Sequence, residues 1–283
     1  MARQMLRYSL PVVPSNLCSL IVNASDRFFV KGYLSIADAG IYALGYKLGN
    51  VVFYLVRSPF MQIWSPRSFA LYREGAPPEV FARIATYFNA VMVFVGLGVA
   101  VYVKDVIKLI SAPPYWGAAQ YAPAVTLCYI IYALDNLVAF GISAKKRTEY
   151  WTMVNLVASG VNIVGNFVLI SRFGIWGAVW STGISITVKV GLLYIVGRHF
   201  FSIPFEWPRM AVIMGVAAAL YALSRQIVLP GLAAALLVDT VLIAAFLPAM
   251  WLLGLVRRDE KQQVARYAGR VWRSLRWVEA ASK

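Results

Sequence analysis

Eight apolar runs, each too long for a β-strand, follow one another along the chain at residues 10–30, 39–63, 84–103, 121–142, 151–171, 175–196, 210–229 and 232–256. About 20 apolar residues span a bilayer as one helix, and only a helix or a closed barrel satisfies its own backbone in lipid. The chain is therefore expected to be an all-α membrane protein with about eight transmembrane helices. Composition agrees, since 60% of the 283 residues are apolar and 14% charged, against roughly 45–50% and about 25% in a soluble domain. Breaks fall where the runs stop: Pro113-Pro114, Arg172-Phe173-Gly174, Pro204 with Pro208, and Pro230-Gly231.

A net charge of +15 suggests a nucleic-acid binder in a soluble protein, but in a multi-spanning one basic residues collect in cytoplasmic loops. Threading the spans alternately puts 18 of the 27 Lys and Arg on one side, 6 on the other, and Lys47, Arg57 and Lys189 inside spans. That asymmetry predicts cytoplasmic termini, and no nucleic-acid partner is expected. Arg3 and Arg7 precede the first run in the manner of a signal peptide, but the run is long and lacks an Ala-x-Ala exit, so it is read as a retained helix. The tail, residues 257–283, spreads basic residues around Val264, Val271, Leu275 and Val278. It reads as a basic amphipathic helix on the cytoplasmic leaflet.

Enzyme signatures are missing. Cys18 and Cys128 lie in apolar runs, His199 is the single histidine, and no glycine-rich phosphate loop is present. The segment between Lys104 and Gln120 holds one acid, Asp105, which is poor equipment for a membrane glycosyltransferase. No catalytic residue, metal or cofactor is expected.

The informative residues are polar groups at helical spacing inside the runs, because an unpaired polar group in hydrocarbon is costly. Asn16, Ser19, Asn23, Asp26 and Arg27 share a face of the first span; Lys47, Asn50, Tyr54 and Arg57 mark the second; Asn155, Ser159, Asn162 and Asn166 the fifth; Thr182, Ser185 and Lys189 the sixth. Four such stripes imply a shared hydrophilic interior, although interhelical hydrogen bonding alone also accounts for single Asn and Ser positions. Asp26 can pair with its neighbour Arg27, and Asp135 with Lys47 or Lys189.

Asp26-Arg27-Phe28-Phe29, then Gly40-Ile41-Tyr42-Ala43-Leu44-Gly45-Tyr46-Lys47, and Trp64-Ser65-Pro66 closing the second span, resemble the start of the second half of polysaccharide transporters. These are oligosaccharide flippases of the multidrug/oligosaccharidyl-lipid/polysaccharide superfamily, similar to two six-helix lobes around a central cavity. The resemblance implies that residues 1–200 supply the second lobe and residues 201–256 two additional helices, with the first lobe missing because the chain is a fragment or truncated reading frame of the same gene, or supplied by another polypeptide, or replaced by a homodimer. It further implies a bacterial inner-membrane protein that moves an undecaprenyl-pyrophosphate-linked oligosaccharide outward. A cationic interior suits such an anionic head group. On that reading Lys47 and Arg57 are expected to contact pyrophosphate, Arg27 to assist external release, Asn50 and Asn162 to contact sugar or water, and Lys189 to be a further substrate-binding residue. Asp26 and Asp135 are expected to serve coupling or ion pairing. A drug/cation antiporter of the same superfamily and a non-transporting membrane assembly subunit are the alternatives.

Overall fold

The computed structural model describes residues 25–227 and 232–253, and every regular element among them is helical. Residues 25–33 form α1, the end of the first expected span. Six helices long and apolar enough to cross a membrane follow: α2 (Ile36–Arg73), α3 (Pro78–Ile110), α4 (Ala122–Ala144), α5 (Thr148–Phe173), α6 (Ile175–Phe200) and α7 (Trp207–Gln226). α8 (Leu232–Leu252) belongs to a second compact unit that starts at Val228, and its apolar stretch is Leu236–Leu252. The expected basic tail and most of the first span lie outside the described residues.

Local chemistry sets the boundaries. The Ser35 hydroxyl accepts from the Asp38 amide at 3.0 Å and donates to its carboxylate at 2.6 Å, capping α2. At its far end Gly75 takes φ +73, the Gly75 amide donates to Tyr72 and the Ala76 amide to Leu71, a left-handed stop with Pro77-Pro78 behind it. Gly174, at φ +59, makes the turn between α5 and α6.

Two features depart from the expected spans. Trp64-Ser65-Pro66 does not close the second span: α2 runs through Pro66 to Arg73. A helical proline loses one backbone bond, here to the Gln62 carbonyl, and the Ser68 hydroxyl in the following turn donates to the Ser65 carbonyl at 2.7 Å. At 38 residues, α2 is about 57 Å long, beyond the roughly 30 Å of a hydrocarbon core, so its basic end extends past the lipid. Within it, Phe53–Arg57 is a π-helical turn, with the Ser58 amide donating to the Phe53 carbonyl. α4 is broken twice, at residues 133–134 and at Ala139.

Neighbouring spans alternate in direction. At one end Tyr72, Phe81, Phe140 and Phe201 form an aromatic knot with ring centroids 5.0–5.8 Å apart, and Thr86 of α3 donates to Glu206 before α7 at 2.8 Å. At the other end Tyr115 packs on Gly40, and Tyr121 meets Trp176 at 5.1 Å. The residues brought together are those that alternate threading places on common sides. Small residues allow the closest crossings: a Cβ on Gly49 would come within 2.8 Å of the Ala122 carbonyl and Val125, and one on Gly45 within 3.0 Å of the Ala118 carbonyl.

Candidate functional site

Two polar clusters lie inside the bundle. The first is built on Asp26 of α1, which is buried. Its Oδ2 accepts from the Tyr42 hydroxyl at 2.8 Å and the Thr182 hydroxyl at 2.7 Å, and its Oδ1 from Asn166 Nδ2 at 2.6 Å. Asn166 Nδ2 also faces Asn162 Oδ1 at 3.1 Å, which accepts from the Ser25 hydroxyl at 3.1 Å. Ser181 donates to the Asn162 carbonyl at 2.9 Å, tying α6 to α5. The expected pairing of Asp26 with Arg27 does not form. Adjacent residues on a helix point about 100° apart, so Arg27 turns outward, exposed, with its guanidinium 5.8 Å from the Tyr46 ring centroid. Among the described residues no cation pairs with Asp26, and its donors are all neutral. Asn162 Nδ2 and Asn166 Oδ1 are buried without a partner in the cluster.

The second cluster is ionic. Arg57 Nη2 donates to Asp135 Oδ1 at 2.8 Å, and Lys189 Nζ lies 3.7 Å from Asp135 Oδ2; the three side chains are 13%, 4% and 11% exposed. Aromatic faces line the cations: the guanidinium stands 4.4 Å from the Phe53 centroid and 5.6 Å from Tyr132, and Lys189 Nζ stands 4.7 Å from Tyr132 and 5.9 Å from Trp151. Desolvated cations over ring faces gain electrostatically from the ring quadrupole. The break in α4 frees the Asn136 amide, which donates to Asp135 Oδ1 at 2.6 Å, with Asn136 Nδ2 on the same oxygen at 3.0 Å. Asp135 thus meets Lys189, as expected, and Arg57, but not Lys47.

Lys47 is exposed rather than buried with the other two. On an uninterrupted helix ten residues would leave Lys47 and Arg57 about 80° apart; the extra residue of the π turn makes that about 180°. The stripe read at steps of three and four therefore splits, with Arg57 turned in towards α4 and Lys47 out. Asn50, half-buried between them, keeps a buried Oδ1 without a partner. Asn162, expected against sugar or water, sits wholly inside the Asp26 cluster.

Two spaces adjoin the clusters. A cavity of about 40 Å³ is lined by Tyr46, Tyr129, Tyr132, Asn155, Ser159, Thr182, Ser185 and Lys189, so it runs from a ligand of Asp26 to a partner of Asp135. That is room for about three waters among groups that can bind them. A larger pocket of about 370 Å³ opens beside Arg57 and is lined by Ser58, Gln62, Trp64, Ser65, Ser68, Asn136 and Ser143. Met61, Phe69 and Phe140 complete its lining, so hydroxyls and amides stand beside apolar and aromatic side chains, a mixture that suits the polar edges and apolar faces of sugars. The stripes pointed to Asn166 and Thr182 without assigning them a site, while Tyr42, Phe53, Tyr132 and Trp151 carried no polar periodicity to mark them.

Residues 1–119 match the model of a family described as polysaccharide biosynthesis protein. The fold is similar to the lipid II flippase MurJ in an inward closed conformation, with a TM-score of 0.62 and 14% identity over 90% of this chain. The chain covers 56% of that flippase's length. No curated protein matches it in sequence. Residues 1–119 thus carry the pattern of a polysaccharide biosynthesis family, and six helices able to span a bilayer make the chain a multi-pass membrane protein whose fold is similar to that flippase's over nine-tenths of its length.

Proposed function

We propose that the chain is one lobe of a lipid-linked oligosaccharide flippase, carrying an undecaprenyl-pyrophosphate-linked sugar outward across a bacterial inner membrane by alternating access against a first lobe supplied by another polypeptide or a second copy. The observation that carries this reading is the Arg57–Asp135–Lys189 cluster, two cations on one carboxylate inside the bundle. Its net positive charge suits a diphosphate, and the hydroxyl- and amide-lined pocket beside Arg57 suits the attached saccharide. Exposed Arg27 and Lys47 are the outer contacts through which the head group leaves. The lipid tail stays in the surrounding membrane lipid, and both termini face the cytoplasm with the basic loops.

Asp26 is the coupling site in this proposal. One buried carboxylate, held by the Tyr42 and Thr182 hydroxyls and by Asn166 Nδ2, suits a proton, or a small hard cation with a single charge once the two hydroxyls turn their oxygens towards it. A buried acid of this kind equally serves a cation antiporter, but Arg57 and Lys189 favour an anionic cargo.

The reading is tested by lipid-linked sugar flux in flippase-depleted cells. The chain with a six-helix first lobe should restore flux and the chain alone should not. Arg57→Gln should abolish it and Arg57→Lys retain part, because lysine keeps the charge without the planar fork. Normal flux with glutamine at both 57 and 189, at wild-type abundance, would overturn the cationic site.

A further inference from the structure

Asp135 takes a position that a transporter of anions has reason to avoid, because a fixed carboxylate competes with the cargo. Its setting makes it a competitor that yields. Arg57 gives it one arm, Nη2, at 2.8 Å, while the guanidinium Nε is buried without a partner. Lys189, at 3.7 Å, is near enough to attract but too far to hydrogen bond. Both cations therefore keep unused donors. Asp135 does not depend on either of them for its place: Oδ1 is also held by the backbone amide of Asn136 at 2.6 Å and by its side-chain amide at 3.0 Å. These donors come from the broken turn of α4 itself, so they remain when Arg57 swings away. The pocket of about 370 Å³ touches Arg57 and Asn136, on the side where an arriving head group would meet the guanidinium.

Resting on the anion-site reading above, we propose that Asp135 is a resident anion on the Arg57–Lys189 pair, which a diphosphate head group displaces from Arg57 and which afterwards helps to expel it. The exchange makes the site selective. A diphosphate offers more charge and oxygen than the carboxylate it replaces and can take the fork of Arg57 in two bonds. A monophosphate brings less charge and fewer oxygens than a diphosphate and so competes less well with Asp135. Release is favoured for the same reason: the two cations fall back onto a carboxylate rather than facing each other unbalanced in a low-dielectric interior.

The measurement is the binding of farnesyl diphosphate and farnesyl monophosphate to the purified full chain by calorimetry, with thermal unfolding in parallel. Asp135→Asn should bind diphosphate about tenfold tighter than wild type and gain still more for monophosphate, narrowing the preference between the two. Arg57→Gln should weaken both. Unchanged or weaker diphosphate binding by a folded D135N, while wild type binds and R57Q does not, overturns the resident-anion proposal and leaves the anion site standing. No binding to wild type overturns both. If D135N unfolds because two buried cations are unbalanced, Asp135→Asn with Lys189→Gln restores the charge without restoring the competitor. That double variant should bind diphosphate about tenfold tighter than Lys189→Gln alone, and equal or weaker binding overturns the proposal.

Discussion

Asp26 shows how one residue concentrates the demands of the bundle. A carboxylate removed from water needs donors, and Tyr42, Asn166 and Thr182 bring them from α2, α5 and α6. Replacing it by leucine strands three buried donors, each costing about 1–3 kcal/mol, so D26L should unfold at clearly lower temperature in detergent. Asparagine keeps an oxygen for the hydroxyls, loses the charge, and should fold close to wild type. Sodium titration against a potassium control separates the roles: if Asp26 takes a small cation, sodium raises the unfolding temperature of wild type and leaves that of D26N unmoved. An equal sodium response in both would remove Asp26 from the coupling role. The polar stripes of α5 and α6 made Asn162, Asn166 and Thr182 legible in the sequence as interior residues. Their convergence on Asp26 was not legible, because it joins positions 16 to 156 residues apart.

At the scale of elements, helix crossings decide which faces meet. α4 and α6 touch through glycine on both sides: a Cβ on Gly141 would land on the Gly197 carbonyl, and one on Gly197 on the Val138 carbonyl. Gly141→Ala or Gly197→Ala should therefore force the helices apart at a cost of about 1–3 kcal/mol. The controls are Gly98→Ala and Gly160→Ala, helical sites with nothing within 4 Å of the new Cβ; these should be neutral or stabilising by up to about 1 kcal/mol. Thermal unfolding of the four variants checks the contrast, and equal losses in all four would show that the crossing is not close-packed. The π turn of α2 works at the same scale, since one extra residue sends Lys47 and Arg57 to opposite faces. Polar periodicity could not reveal it, because steps of three and four are counted on the assumption that the helix is regular.

The whole molecule is organised by its two ends. Among the described residues, the end with Tyr72, Phe140 and Phe201 carries Arg67, Arg73, Arg83, Lys145, Lys146, Arg147, Arg198 and Arg209, and the end with Tyr115 carries Arg27, Lys31, Lys104, Lys108, Arg172 and Arg225; the basic residues of the two termini, threaded alternately, are expected to join the first. Basic loops are retained in the cytoplasm, which gives the expected outcome of a labelling experiment. Single cysteines replacing Lys146 and Arg209 should be shielded from an impermeant thiol reagent added to intact cells, and one replacing Lys108 should react. Labelling at Lys146 from outside would invert the orientation, and with it the direction proposed for transport.

Helical class, the breaks at Pro113-Pro114, Gly174 and Pro204, and the interior stripes of α5 and α6 followed from sequence alone, since lipid imposes a local rule: each span must satisfy its own backbone and keep its polar side chains off the hydrocarbon. That rule acts within about 20 residues and is readable there. The choice of partner is not local. Arg57 could have been a snorkelling anchor or an isolated cation, and only the packing of α2, α4 and α6, with a π turn in one helix and a broken turn in another, set it against Asp135 and Lys189. Electrostatic pairing inside a bundle is decided by distances of a few ångströms between segments far apart in the chain. Those distances exist only once the helices have packed.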